Sequence, residues 1–173
     1  MTGIITDKKF KTVMLASIVM SLIAHSFRYF NAAYGLDNVT ISSVGSVFSF
    51  TNAKWLLSAS WVLSGFQSVP WLDGMISMLL ISFSVYMLIA IFKIENRLNI
   101  WIVAGICQTS PSIIASNTYG GAYTFYVALF FGVLGAYIAI QSDEFDIRRM
   151  TGSIICIMLS AAVYGSYVEV TPE

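Results

Sequence analysis

Apolar and polar positions fall in long blocks along this chain. Residues 12–27, 74–92, 98–142 and 150–168 carry no charged side chain and are mostly apolar, and small clusters of lysine and arginine separate them. A helix needs about 20 such residues to cross the hydrocarbon core of a bilayer. The third block is far longer than one crossing, so it reads as two helices joined by a turn at Asn117-Thr-Tyr-Gly-Gly121. Barrel strands would alternate apolar and polar over about 10 residues, and these runs are continuous. The pattern predicts an all-α fold, a polytopic membrane helical bundle of about five transmembrane helices. They are expected at 10–27, 74–92, 98–116, 122–141 and 150–168, in a single integral membrane domain spanning 1–173.

The longest polar segment, 31–70, follows the first helix. Within it, residues 54–67 regain a helical rhythm: Trp55, Ala59, Val62 and Phe66 form an apolar stripe, while Ser60, Ser64 and Gln67 recur on another face. Trp55, Trp61 and Trp71 cluster here, which favours a helix lying in the membrane interface over a further crossing. Pro70 is expected to break the chain and Asp73 to cap the second helix. Pro111 should kink or end the third. Arg28, Tyr29 and Phe30 suit a water–lipid boundary after helix one. With the amino terminus inside, cytoplasmic segments hold Lys8, Lys9, Lys11, Lys93, Arg97, Arg148 and Arg149, and outer segments hold only Arg28 and Lys54. That bias places loop 31–70 and the 117–121 turn on the outer face.

Composition agrees. Hydrophobic residues make up 57% of the chain and charged residues 10%, against roughly 25% charged in soluble domains. The net charge is zero, which gives no reason to expect a nucleic-acid partner. Cys107 and Cys156 fall inside expected spans and read as small core residues, with a disulfide left open. His25 is the only histidine, and no Cys/His cluster or HExxH occurs, so no metal site and no Ser-His-Asp triad is expected. Lys8, Lys9 and Lys11 ahead of an apolar run look like the start of a signal peptide, but no clear cleavage site follows, so a retained signal-anchor helix is expected.

The candidate chemistry lies on the outer face. Asp37 is the only acid in loop 31–70. It reads either as a turn aspartate or as a general base for a sugar hydroxyl. Arg28 and Lys54 could pair with a lipid phosphate or simply snorkel to headgroups. Tyr119, Tyr123 and Tyr126 could stack on a sugar ring or form an interfacial aromatic belt. Asn38-Val-Thr40 matches a glycosylation sequon, and His25 reads as a hydrogen-bonded interfacial residue.

Several motifs taken together carry a family resemblance. Tyr-Gly-Leu-Asp37-Asn38 is followed by Asn52-Ala-Lys54-Trp55-Leu-Leu, then Val69-Pro-Trp-Leu-Asp-Gly74, then Leu80-Ile-Ser-Phe-Ser-Val-Tyr86, then Pro111-Ser112 with Tyr119 and Tyr126. The chain resembles the amino-terminal part of the Gtr type II glucosyltransferases, membrane enzymes of the GT-C type that modify O-antigen. The resemblance implies transfer of glucose from a polyprenyl-phosphate donor to a lipid-linked or cell-surface glycan acceptor. It further implies a location in the bacterial inner membrane, with Asp37 as the catalytic carboxylate of the first outer loop; beside it, Arg28, Lys54 and Tyr119 are the expected substrate-binding residues on their own chemistry. No cofactor is implied, although a divalent cation is compatible. The chain departs from the family pattern in four places. Asn38 replaces a second acid, Lys54 replaces an arginine, Thr124 replaces an acid, and Tyr164-Gly165 replaces Tyr-Gln. Members of the family are longer, so an incomplete copy is expected. The rival expectations are a non-catalytic polytopic protein serving assembly, transport or lipid-sugar flipping, and an inactive fragment of the enzyme.

Overall fold

A computed structural model describes residues 7–31, 56, 69–116, 123–140 and 146–163. Among them are six helices and no strand, in the order α1 (Asp7–Phe30), α2 (Pro70–Ile91), α3 (Arg97–Gln108), α4 (Pro111–Ser116), α5 (Tyr123–Ile140) and α6 (Ile147–Val163). The all-α membrane bundle expected from the sequence is what the chain forms.

Helices α1 (over Lys8–Tyr29), α2 and α5 are long and apolar enough to cross a bilayer. The expected span 98–116 is instead two pieces. Helix α3 has 12 residues, about 18 Å of rise, and α4 has six. Pro111 opens α4, where its missing N–H costs nothing, and Thr109 and Ser110 turn the chain between the two. Helix α6 has 17 described residues, about 25 Å of rise.

Helix α2 starts earlier than expected, because Pro70 begins it instead of breaking the chain before it. Val69 is the N-cap, and no side chain caps the start. Asp73 is therefore not the cap. It sits within the first helical turn, where a carboxylate is favoured by the helix dipole, and it is buried. The other end of α2 closes in a Schellman turn. Lys93 N–H bonds to the Ala90 carbonyl and Ile94 N–H to the Ile89 carbonyl, with Lys93 at φ 52° in the place glycine usually takes. Ile94 packs on the core that contains Ile89.

Helix α2 is the central element and packs against α1, α3 and α5, while α6 packs on α5. The main core joins Val13 and Ala16 of α1 to Ile81, Val85 and Ile89 of α2, Ile100 and Ala104 of α3, Ile113 of α4 and Tyr126 of α5. A second cluster, Val127, Ala128 and Val163, is joined to it through Leu80 and is covered by Leu56. Leu56 is half-buried; the remainder of the expected interfacial helix 54–67 lies outside the described residues. Helices α1 and α2 run antiparallel. Phe10 lies edge-on to Tyr86, 5.1 Å between ring centroids, and at the opposite end Tyr29 lies over Gly74. A Cβ on Gly74 would stand 2.5 Å from Tyr29 Cδ1, so only glycine admits the ring. Tyr29 is thus a core residue and not part of a boundary belt.

Helices α5 and α6 meet through small residues and hydroxyl bonds, as membrane helices do in the absence of a hydrophobic drive between them. Ser153 Oγ donates to the Gly135 carbonyl at 2.8 Å, and Ser160 Oγ donates to the Ala128 carbonyl at 2.7 Å. The Gly135 Cβ position lies 2.9 Å from Ile157 Cγ1 and 3.1 Å from the Ser153 carbonyl oxygen. Both cysteines are free. Gly135→Val is expected to destabilise the bundle by about 1–3 kcal/mol, read as a lower unfolding midpoint in detergent. Gly152→Ala, where a Cβ meets nothing within 4 Å, should leave that midpoint unchanged or slightly raised.

Candidate functional site

The end of the bundle at which α1 finishes and α2 begins gathers the polar side chains. Ser17, Ser21, His25 and Tyr29 are all buried. They recur every fourth residue, which places them in one row along the face of α1 that meets the bundle. Ser21 Oγ and Tyr29 Oη share a hydrogen bond of 2.8 Å. The His25 and Tyr29 rings lie 6.0 Å apart.

Opposite this row stands the last residue of α3. Gln108 is fully buried, and its Nε2 donates to Ser17 Oγ at 3.0 Å. Its backbone carbonyl accepts from His25 Nε2 at 2.8 Å. A carbonyl can only accept, so His25 carries its hydrogen on Nε2. On the far side of the Pro111 break, Tyr126 Oη donates to the Ile113 carbonyl at 3.0 Å. The Gln108 side-chain oxygen Oε1 and Ser82 Oγ are buried with no hydrogen-bond partner among the described residues. Asp73 completes this end. It is the one acidic side chain found buried among the described residues, and Ser77 Oγ donates to its backbone carbonyl at 2.7 Å.

Of the site residues expected from sequence, Arg28 is described. It lies in the last turn of α1, where a cation is favoured by the helix dipole, and it is half-buried. Asp37, Lys54 and Tyr119 lie outside the described residues. Tyr123 and Tyr126 are fully buried, so neither offers an open face for sugar stacking and neither belongs to an aromatic belt. Thr124 is buried beside them. Among the described residues no group of three or more His, Cys, Asp or Glu side chains is placed to hold a metal ion.

Sequence reasoning took Asp73 only for a helix cap and did not anticipate that it and Gln108 are buried. The signal for Asp73 was a carboxylate inside the first apolar turn after a proline, a costly position unless used or compensated. The signal for Gln108 was an amide at the point where a proline interrupts a span.

A family model described as Glucosyl transferase GtrII matches residues 27–171. No curated protein and no solved structure matches the chain.

The Ser17–Gln108 bond should be energetically modest despite its burial. A double-mutant cycle of Ser17→Ala and Gln108→Leu is expected to return a coupling of about 0.6 kcal/mol and no more than about 1.7, measured from unfolding in detergent.

Proposed function

The chain belongs to the glucosyl transferase GtrII family, and on that premise we propose that it moves a glucosyl group from a polyprenyl-phosphate donor to the hydroxyl of a lipid-linked or cell-surface glycan such as O-antigen. The observation that carries this reading is the match of the family across residues 27–171 of a membrane-embedded helical bundle. The matched region includes Arg28, Asp37, Lys54, Asp73 and Tyr119 together.

In the proposed reaction Asp37 takes the proton of the acceptor hydroxyl. The hydroxyl oxygen forms a bond to the glucosyl anomeric carbon as the bond from that carbon to the donor phosphate oxygen breaks, and polyprenyl phosphate leaves. Arg28 and Lys54 stabilise the departing phosphate through charge-assisted hydrogen bonds. Tyr119 lies against the sugar, and the polyprenyl tail lies along the helices. The lysine and arginine bias supports an orientation with this site on the outer face of a bacterial inner membrane. The chemistry needs no cofactor, and a divalent cation is compatible with it.

Membranes containing the chain and supplied with polyprenyl-phosphate glucose should transfer glucose, and Asp37→Asn should lower kcat by about 10²-fold or more, the lower range for a general base. Arg28→Gln and Lys54→Gln should weaken transfer with the larger part of the effect in kcat, because the phosphate charge they meet grows in the transition state. Equal transfer by Asp37→Asn and the unaltered protein would remove Asp37 from the mechanism. No transfer by any of them would favour the non-catalytic alternative.

A further inference from the structure

Pro111 has no N–H to give, so a helix crossing it loses the bond that would close on the carbonyl four residues earlier. At membrane depth no water replaces such bonds, and irregular backbone survives there only where protein groups satisfy it. The carbonyl four residues before Pro111, that of Cys107, is met locally by Ser110 N–H at 3.5 Å, and two further carbonyls flanking the break are reached from two other helices. His25 of α1 donates to the Gln108 carbonyl on one side of the break, and Tyr126 of α5 donates to the Ile113 carbonyl on the other. Both side chains are buried, His25 at 5% and Tyr126 at 1% exposure. The first bond joins residues 83 apart in sequence.

We propose that His25 is a positioning residue. Through the Gln108 carbonyl it holds the broken helix α3–α4 in register with α1. The ends of α1 and α4 are thereby fixed relative to each other, and in sequence the chain runs on from the first toward Asp37 and from the second toward Tyr119. Tyr126 is the second fastening of the same break. This assignment gives the only histidine of the chain a task that needs one N–H donor at a set reach and neither a charge nor a metal. Its bearing on catalysis rests on the glucosyltransferase reading above; the fastening itself does not.

The test separates the two. In the full chain with Cys107→Ala and Cys156→Ala, spin labels are attached at Phe27→Cys on α1 and Ile114→Cys on α4. Both native side chains are exposed, at 77% and 50%. Pulsed dipolar spectroscopy in lipid nanodiscs should give one narrow distance distribution. His25→Leu should broaden or shift it, and His25→Gln, whose amide can donate at similar reach, should restore it. In the same series glucose transfer by His25→Leu should fall on the order of 10²-fold in kcat with donor KM changed by less than about threefold, and His25→Gln should recover most of the loss. A lesion that only lowers the amount of folded protein would scale the rate with yield and would leave the rate per folded molecule intact. If His25→Leu does not accumulate, Tyr126→Phe, which removes one hydroxyl, should broaden the same distribution.

A folded His25→Leu protein, or Tyr126→Phe in its place, that keeps the narrow distribution and the original rate would overturn the proposal. If the distribution responds as described while no protein of the series transfers glucose, the fastening stands and the glucosyltransferase reading falls.

Discussion

Inside a bilayer each backbone N–H and C=O must be satisfied by the protein itself. The architecture follows that constraint most visibly where a proline violates the helix. Pro111 divides a segment long enough to cross into α3 and α4, and His25 and Tyr126 bond to the carbonyls on either side. The same economy governs α5 and α6, where Ser153 and Ser160 reach across to carbonyls that already take part in helix bonds. These helix contacts are thus made by neutral donors, to backbone carbonyls at four places and to a side-chain hydroxyl where Gln108 meets Ser17. An ion pair of Arg149 with Asp146 at 3.5 Å is half-exposed at the start of α6 and contributes little by comparison.

Close helix approach is the second requirement, and glycine meets it at two places. Gly74 takes the Tyr29 ring, and Gly135 takes the side of α6. The first contact brings Arg28 and the buried Asp73 to the same end of the bundle, since each is the chain neighbour of one partner. The second sets α6 firmly on α5. Between these contacts α2 contributes Ile81, Val85 and Ile89 to the main core and Leu80 to both clusters.

Three of the expected spans, those at 10–27, 74–92 and 122–141, were legible in the sequence because an uncharged run of sufficient length has few alternatives, and Pro111 was legible as an interruption because its chemistry is local. Asp73 was misread as a cap because Pro70, which looks like a breaker, is equally suited to the first helical position. Tyr29, Tyr123 and Tyr126 were misread for a different reason. Aromatic residues near span ends fit a boundary belt by composition, and what buries Tyr29 is a missing Cβ at Gly74, 45 positions away by residue number. The partner of His25 is more distant still, so no local pattern could reveal it. Of the four expected site residues Arg28 was placed, at the end of α1, while Asp37, Lys54 and Tyr119 belong to segments outside the described helices. Their roles rest on the family and on chemistry, whereas the buried row on α1 emerges only from tertiary packing.

The bond between His25 and the Gln108 carbonyl also has a direction in time. The ribosome makes His25 some 83 residues before Gln108, so the donor is already in the chain when the interrupted helix emerges. A 12-residue α3 is too short to hold itself across the hydrocarbon layer. Its insertion therefore leans on helices synthesised earlier, and the order of translation becomes part of what makes this fold reachable.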